Sequence, residues 1–255
     1  MRNVFTICGR EVQAYFTSPI AYILIGLFGL VTGWVFYGAT VDFINAGTQQ
    51  QMMGQGGPLS VNTYVIAPVL GFLGVISLFL IPLISMRIFA EEKRSGTIEL
   101  LLTSPLSDWE IILGKWLGAM VMYMSVLAMP ALNVMLLFAW STPDWRPIVT
   151  SIVGLILQGA TVLAIGTFIS STTRNQIIAG GATFAVCLLL WLLNMVSSFS
   201  DTVLGKIVAY CSIIEHFKSF SIGVVDSKDL IFYASAIFLG LFLTARSLES
   251  LRWRA

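Results

Sequence analysis

The sequence predicts an all-α, polytopic membrane protein: six transmembrane helices, an amphipathic N-terminal helix on the membrane surface, and a short ordered helix between the second and third spans. Three observations predict it. Of 255 residues, 57% are hydrophobic and only 11% are charged, where a soluble domain carries about 25% charged residues. The apolar residues fall in six runs, most of them near the roughly 20 residues that a helix needs to cross a bilayer. The charges collect between the runs: five of the 13 acidic residues lie in one stretch, FAEEKRSGTIELLLTSPLSDWEIILGKWLG, residues 89 to 118.

Residues 1–18, MRNVFTICGREVQAYFTS, mix Arg2, Arg10 and Glu11 with Val4, Phe5, Ile7, Val12, Tyr15 and Phe16, a pattern that lies along an interface with one face in the apolar layer. Ser18 and Pro19 then open the first span, Ser as N-cap and Pro at the first helical position, where its missing N–H is harmless. That span covers about 20–41. Its uncharged run exceeds the roughly 7–15 residues of a signal-peptide core, and no small-x-small cleavage pattern follows, so it reads as a retained helix. Residues 42–62, rich in Gly and Gln and free of Lys and Arg, read as a loop. The second span, about 63–87, contains Pro68 and Pro82, which bend it while neighbours satisfy the freed carbonyls.

The third span, about 116–141, follows Lys115, and the turn TPDWRP leads into the fourth, about 148–171. Thr173 with Gln176 fits a capping box for the fifth, about 176–196. Residues 197–229 form an outer semi-polar segment whose uncharged piece, 207–214, is too short to cross; it reads as short helices on the surface or a partial dip. The sixth span, about 230–246, is short, with Lys228 and Arg246 placed to snorkel outward. The whole chain, 1–255, reads as one membrane domain.

Six spans put both termini on one side. With the termini in the cytoplasm, the inner segments carry Arg2, Arg10, Arg87, Lys93, Arg94, Lys115, Arg174, Arg246, Arg252 and Arg254, and the outer ones only Arg146, Lys206, Lys218 and Lys228. The excess of basic residues chooses that orientation and places residues 89–118 in the cytoplasm.

This stretch sets Glu91, Glu92, Glu99, Asp108 and Glu110 beside Arg87, Lys93, Arg94 and Lys115. Mixed charge suits recognition of a protein better than attraction to anionic lipid. Ser95-Gly96 reads as a turn. Thr97 to Thr103 reads as a short helix with Ile98, Leu100, Leu101 and Leu102 as an oily surface, closed by Ser104-Pro105. Ser107 and Glu110 make a capping box for the next helix. Either the oily surface receives another protein, or the leucines pack on the chain's own spans.

AEEKRSGTIELLLTSPLSDWEIILGKWLG resembles the cytoplasmic loop between the second and third helices of type-2 ABC exporter permeases. REVQAYFTSPIAYI resembles their amphipathic elbow and entry to the first helix, and FKSFSIGVVDSKDLIFY followed by LESLRW is similar to the region around the last helix in permeases of the gliding-motility and nitrous-oxide-accessory type. The resemblance implies an elbow bearing Arg10, Glu11, Ser18 and Pro19. It implies a coupling loop over 91–110, with a coupling helix at Gly96 to Thr103 and motif positions at Glu92, Thr97, Glu99, Ser104 and Pro105. It also implies an outer gate around Glu215, His216, Phe217 and Phe220, where the residues alone suggest a surface histidine packed against two rings. The implied partners are two copies of a cytoplasmic ABC ATPase, which bind the ATP and Mg, and a second copy of this chain or a homologous permease. An extracytoplasmic auxiliary protein and membrane lipid complete the set. The implied location is the bacterial cytoplasmic (inner) membrane. Longer relatives carry a large outer domain after the first helix; about twenty residues stand there in this chain, which leaves substrate capture to a separate subunit.

The chain itself reads as no enzyme and as holding no cofactor. No stretch matches GxxxxGK[ST], G-x-S-x-G or H-E-x-x-H. One histidine and three widely spaced cysteines, Cys8, Cys187 and Cys211, supply no metal set, and a net charge of +1 gives no reason to expect nucleic acid. Cys8 and Cys187 read as buried small hydrophobes. The expected function is transmembrane permease of an ATP-driven exporter with an unidentified substrate. Two alternatives stay open: a mechanotransmitting scaffold that relays ATPase motion to an outer partner, and an ion-coupled carrier. The last needs ionisable groups inside the membrane, where the spans offer amides such as Asn133, Gln158 and Asn194, read as interhelical hydrogen bonds or as cargo contacts. Sodium bound by the carbonyls of broken helices keeps it open. Gly29 with Gly33 and Gly114 with Gly118 form GxxxG pairs, which serve packing within the subunit or, alternatively, a dimer contact.

Overall fold

The computed structural model describes residues 2–54, 59–103, 105–197, 210 and 212–252; the side chains of residues 102 and 194–197 are outside the description. The described elements are helical, with no strand among the described residues. They are α1 (Arg2–Thr17), α2 (Pro19–Met52), a π-helical turn (Asn62–Ile66) running straight into α3 (Ala67–Ser85), α4 (Ala90–Ser95), α5 (Ile98–Thr103), α6 (Asp108–Trp140), α7 (Trp145–Thr172), α8 (Gln176–Ser197), α9 (Ile213–Ser221) and α10 (Ser227–Arg252). Six helical runs are long and apolar enough to cross a membrane: α2, Asn62–Ser95, α6, α7, Gln176–Leu193 and α10. The chain is a multi-pass membrane protein.

α3 and α7 form the centre. In each, 61% of the most apolar stretch is buried within the chain, against 33% or less in the other four. α7 packs on α3, α8, α9 and α10, and α1 lies along α6. Close approach comes from small residues. A Cβ at Gly159 would stand 2.0 Å from Tyr123 Cε1, and one at Gly240 would stand 2.9 Å from the Ala164 backbone. Interior polar groups find partners across helices: Gln158 Nε2 donates to the Gly74 carbonyl at 2.7 Å and the Tyr123 hydroxyl to the Leu155 carbonyl at 3.1 Å. Without water, such pairing is how a buried amide or hydroxyl is tolerated, and Gln158 serves interhelical bonding as expected.

Several boundaries differ from the sequence reading. Residues 42–52, expected as loop, continue α2; they contain no Pro, and their Ala and Gln favour helix over a polar coil. The helix stops before Gly54, whose φ of 68° is open to glycine at no steric cost. The Thr173–Gln176 capping box does not form. Asn175 is the cap, its Oδ1 accepting from the Ile177 N–H at 2.9 Å, while Thr173 Oγ1 accepts from Asn175 N–H at 3.1 Å. Pro68 stands in the first turn of α3, directly after the π-helical turn; Pro82 lies inside α3 near its end. α10 extends past the expected 230–246 at both ends. In the outer semi-polar segment, residues 198–209 and 211 lie outside the described residues.

Candidate functional site

The bundle carries two polar clusters at opposite ends. The first forms where α1, the turn after α3, α4, α5 and the start of α6 meet. Ser18 ends α1 and caps α2, its Oγ accepting from the Ile20 N–H at 3.4 Å, with Pro19 next in the first turn. This corner lets α1 fold along α6, and Gly114 and Gly118 let it come close: a Cβ there would stand 2.7 Å from Ile7 Cβ and 2.6 Å from Glu11 Cβ. Glu11 is thereby laid over the first turns of α6.

Lys115 projects into that contact. Its side chain is 2% exposed, and Nζ lies 2.7 Å from Glu11 Oε1 and 2.8 Å from Glu92 Oε1. Arg10 reaches both carboxylates at 3.7 Å, and the Phe89 ring centroid is 5.4 Å from Nζ. One ammonium thus bonds α1 and α4 to α6, in a setting where two carboxylates and two cations balance. A buried charge is tolerated only when so paired.

Arg87 makes a parallel clamp. Nε lies 3.6 Å from Glu91 Oε2, a terminal nitrogen donates to the Ala14 carbonyl at 3.2 Å, and the guanidinium lies 4.8 Å from the Tyr15 ring centroid. The Tyr15 hydroxyl donates to the Ile84 carbonyl at 2.9 Å, and burial raises its pKa. Ser170 Oγ accepts from the Phe89 and Ala90 N–H groups at 3.1 and 3.0 Å and donates to the Met86 carbonyl at 3.1 Å, fixing the turn before α4 to α7. Lys93 Nζ donates to the Ser171 carbonyl. The Ser107–Glu110 capping box is present; Asn3 Nδ2 donates to Glu110 Oε1 at 3.1 Å, and Arg252 lies 3.3 Å from Asp108. Cys8, half-buried on α1, has its thiol pKa raised by burial first and by the Glu11 charge second.

Gly96 ends α4 with φ 74°, and Ser95 Oγ and Thr97 Oγ1 lie 2.9 Å apart across the turn. On α5, Ile98 and Leu101 pack against the core, while Leu100 is 74% exposed and Glu99, Thr103 and Pro105 face outward beside it. The expected oily surface is therefore divided: Ile98 and Leu101 seat the helix, and Leu100 is presented. The Leu102 side chain and Ser104 lie outside the described residues. α1, α4 and α5 border an open groove of about 670 Å³ lined by Arg10, Arg87, Glu92, Leu100 and Lys115, among others.

The structure thus brings Arg10, Glu11 and Glu92 together and adds Lys115, which the sequence marks as a span boundary and as one of the mixed charges of residues 89–118. Glu11 and Lys115 are 104 positions apart, and no local pattern joins them. Among the described residues no group of three or more His, Cys, Asp or Glu could hold a metal ion. The cluster's chemistry is that of a joint.

The second cluster holds Glu215, His216, Phe217 and Phe220. The expected surface histidine is corrected: His216 is 4% exposed, because α9 turns it toward α10. Nδ1 lies 2.6 Å from Asp229 Oδ1, Nε2 lies 2.9 Å from the Tyr210 carbonyl oxygen, and the ring stacks on Phe232 at 3.9 Å. Phe217 and Phe220 are buried, lying against Gly74 and Gly154. Glu215 faces outward and pairs with Lys218 at 2.6 Å. Asp229 escaped the sequence reading because it stands among charges at a span end, the usual place for a solvated carboxylate.

A family model described as ABC-2 family transporter protein matches residues 5–214, which takes in most of α1, all of α2 through α8, and Arg10, Glu11, Glu92 and Lys115. No curated protein matches the chain significantly.

Proposed function

The chain belongs to the ABC-2 family of transporter proteins, and from that membership we propose that it is the permease subunit of an ATP-driven exporter, with α5 as the coupling helix that receives force from a separate ATPase. As a member of this family it is a membrane component without catalytic chemistry of its own. Two ATPase copies bind ATP and Mg and dock on the exposed edge of α5, around Glu99 and Leu100. A second copy of this chain, or a homologous permease, completes the path for an unidentified cargo. The junction and both termini lie in the bacterial cytoplasm, in keeping with the basic residues that collect at that end.

The observation that carries this reading is the buried Lys115 bonded to both Glu11 and Glu92. A short helix with one side chain presented outward stands one turn from a salt-bridge cluster tied to a membrane-crossing helix and to α1. Displacement of α5 and α4 is passed through Glu92 and Lys115 to α6, rather than absorbed in a slack loop. The test is co-expression with its ABC ATPase subunit, comparing wild type with Glu99→Lys. Wild type co-purifies with the ATPase and raises its turnover; Glu99→Lys loses the complex while the isolated chain melts unchanged. A wild-type chain that forms no complex would overturn the reading.

A further inference from the structure

The geometry points to a proton-binding site at the opposite end of the bundle, the His216–Asp229 pair, which holds α9 against α10 while it carries the proton and lets go when the proton leaves. The argument is a count of hydrogens. The Tyr210 carbonyl oxygen has no hydrogen to give, so Nε2, 2.9 Å away, must donate. A neutral imidazole has one N–H, and Nε2 has then used it. Nδ1 would face the carboxylate with its lone pair, at 2.6 Å from Oδ1, where two acceptors repel. A second proton must lie between Nδ1 and Oδ1, on the ring or on the carboxyl; either way the pair is neutral overall. Both members are nearly buried, His216 at 4% and Asp229 at 1% exposure, so a net charge there would lack solvation. Asp229 Oδ2 has no hydrogen-bond partner among the described residues, and the cation that feels its charge, Lys228, is exposed and already paired with Asp226, so the carboxylate is poorly compensated once the shared proton is gone.

Among the described residues, the other charged groups nearby are already engaged. On α9, Glu215 pairs with Lys218 at 2.6 Å. Before and on α10, Asp226 pairs with Lys228 at 3.1 Å, and the Tyr233 hydroxyl donates to the Ile213 carbonyl at 3.0 Å. α3 and α8 contribute no charged side chain, and α7 only Arg146 in its first turn; the α7 groups that touch α9, Thr150 and Ser151, are neutral and donate to the Phe220 carbonyl. A groove lined by Tyr210, His216, Lys218, Lys228 and Asp229 opens the pair to the medium. What the proton holds is α9, and α9 carries Phe217 and Phe220, the two rings wedged against Gly74 of α3 and Gly154 of α7. Proton release therefore loosens the plug that fills this end of the bundle.

The test needs only the purified full chain, so it is independent of any ATPase. In a background with Cys8, Cys187 and Cys211 replaced, Ser212→Cys reports the fully buried start of α9 and Ser227→Cys reports an exposed neighbour. Methanethiosulfonate modification rates are measured from about pH 5.5 to about pH 9. Because burial raises the pKa of a thiol, each rate is first corrected for the thiolate fraction of its own cysteine at each pH, and the corrected rates are then divided. The ratio is expected to rise about tenfold as the shared proton is lost, and to become flat in His216→Gln and in Asp229→Asn, each checked for a monodisperse fold. A flat ratio in the unaltered pair, or a pH step that persists in His216→Gln or Asp229→Asn, overturns the proposal.

Discussion

Lys115 Nζ and Glu92 Oε1 lie 2.8 Å apart, with the lysine side chain 2% and the glutamate 18% exposed. The contact joins residue 92, on a six-residue helix at the membrane edge, to the first turns of α6. Its partner contact, Lys115 to Glu11 at 2.7 Å, brings in α1. Replacing Lys115 by Met keeps most of the apolar stem and removes the ammonium with its N–H donors, leaving the two carboxylates with only Arg10 at 3.7 Å. The expected cost is about 3 kcal/mol, the low end for breaking a buried ion pair. Thermal unfolding in detergent measures it. Adding Glu11→Gln to Lys115→Met should restore part of the loss, and a strictly additive double variant would speak against a coupled cluster.

The close seat of α1 on α6 depends on Gly118, where an added Cβ would fall 2.6 Å from Glu11 Cβ. Gly118→Ala is expected to push α1 off its groove at a cost of about 2 kcal/mol and to make Cys8 more reactive. Gly33→Ala is the control: nothing in the chain lies within 4 Å of a Cβ there. A drop in dimer content with Gly33→Ala, at unchanged monomer melting, would assign that glycine to a contact between copies.

On α5 the prediction separates presentation from seating. Leu100→Asp, at a residue 74% exposed, should leave the isolated chain within about 0.5 kcal/mol of wild type and reduce ATPase association about tenfold or more. Ile98→Asp places a charge against the core and should lower stability by about 1–2 kcal/mol before any partner is added. Melting curves and pull-down on the same preparations distinguish the two; equal effects from both would collapse the distinction.

Cys8 gives a pH-dependent readout of the junction. Its thiol pKa is raised by burial and by the Glu11 charge, so the thiolate forms later than in an ordinary thiol. The folded state holds this proton more tightly than the unfolded chain, so its contribution to stability is complete below the unfolded thiol pKa and declines as pH rises toward the folded value. Maleimide labelling of Cys8, with Cys187 and Cys211 replaced, should be slow at neutral pH and should reach half its limiting rate above the pH seen for an unfolded control. Glu11→Gln should move that midpoint down. An impermeant maleimide added to sealed inside-out vesicles should reach Cys8, while right-side-out vesicles should protect it.

The six spans were legible because a bilayer demands long uncharged runs, and each run declares itself without reference to the others. The local punctuation was legible for the same reason of short range: Ser18 with Pro19, the left-handed Gly96, and the Ser107–Glu110 box all depend on neighbours within a turn. Where two local caps competed, Asn175 prevailed over Thr173 because its carboxamide reaches the Ile177 N–H two residues on, whereas Thr173 serves the turn between α7 and α8. The two polar clusters were not legible. Glu11, Glu92 and Lys115 meet only because three helices converge, and His216 finds Asp229 only because α9 folds back on α10. In both, residues that read singly as boundary markers are paired in the interior.

α6 is one unbroken helix of 33 residues from its capping box at Ser107 to Trp140, about 50 Å of rod. Pro130, inside it, is the place where the ladder of backbone bonds is interrupted. Such a rod behaves as a lever with its short handle at Lys115 and its compliant point beyond the middle. A displacement at the handle is expected to travel along the helix as far as Pro130, where the missing backbone bond lets the arm beyond it bend separately.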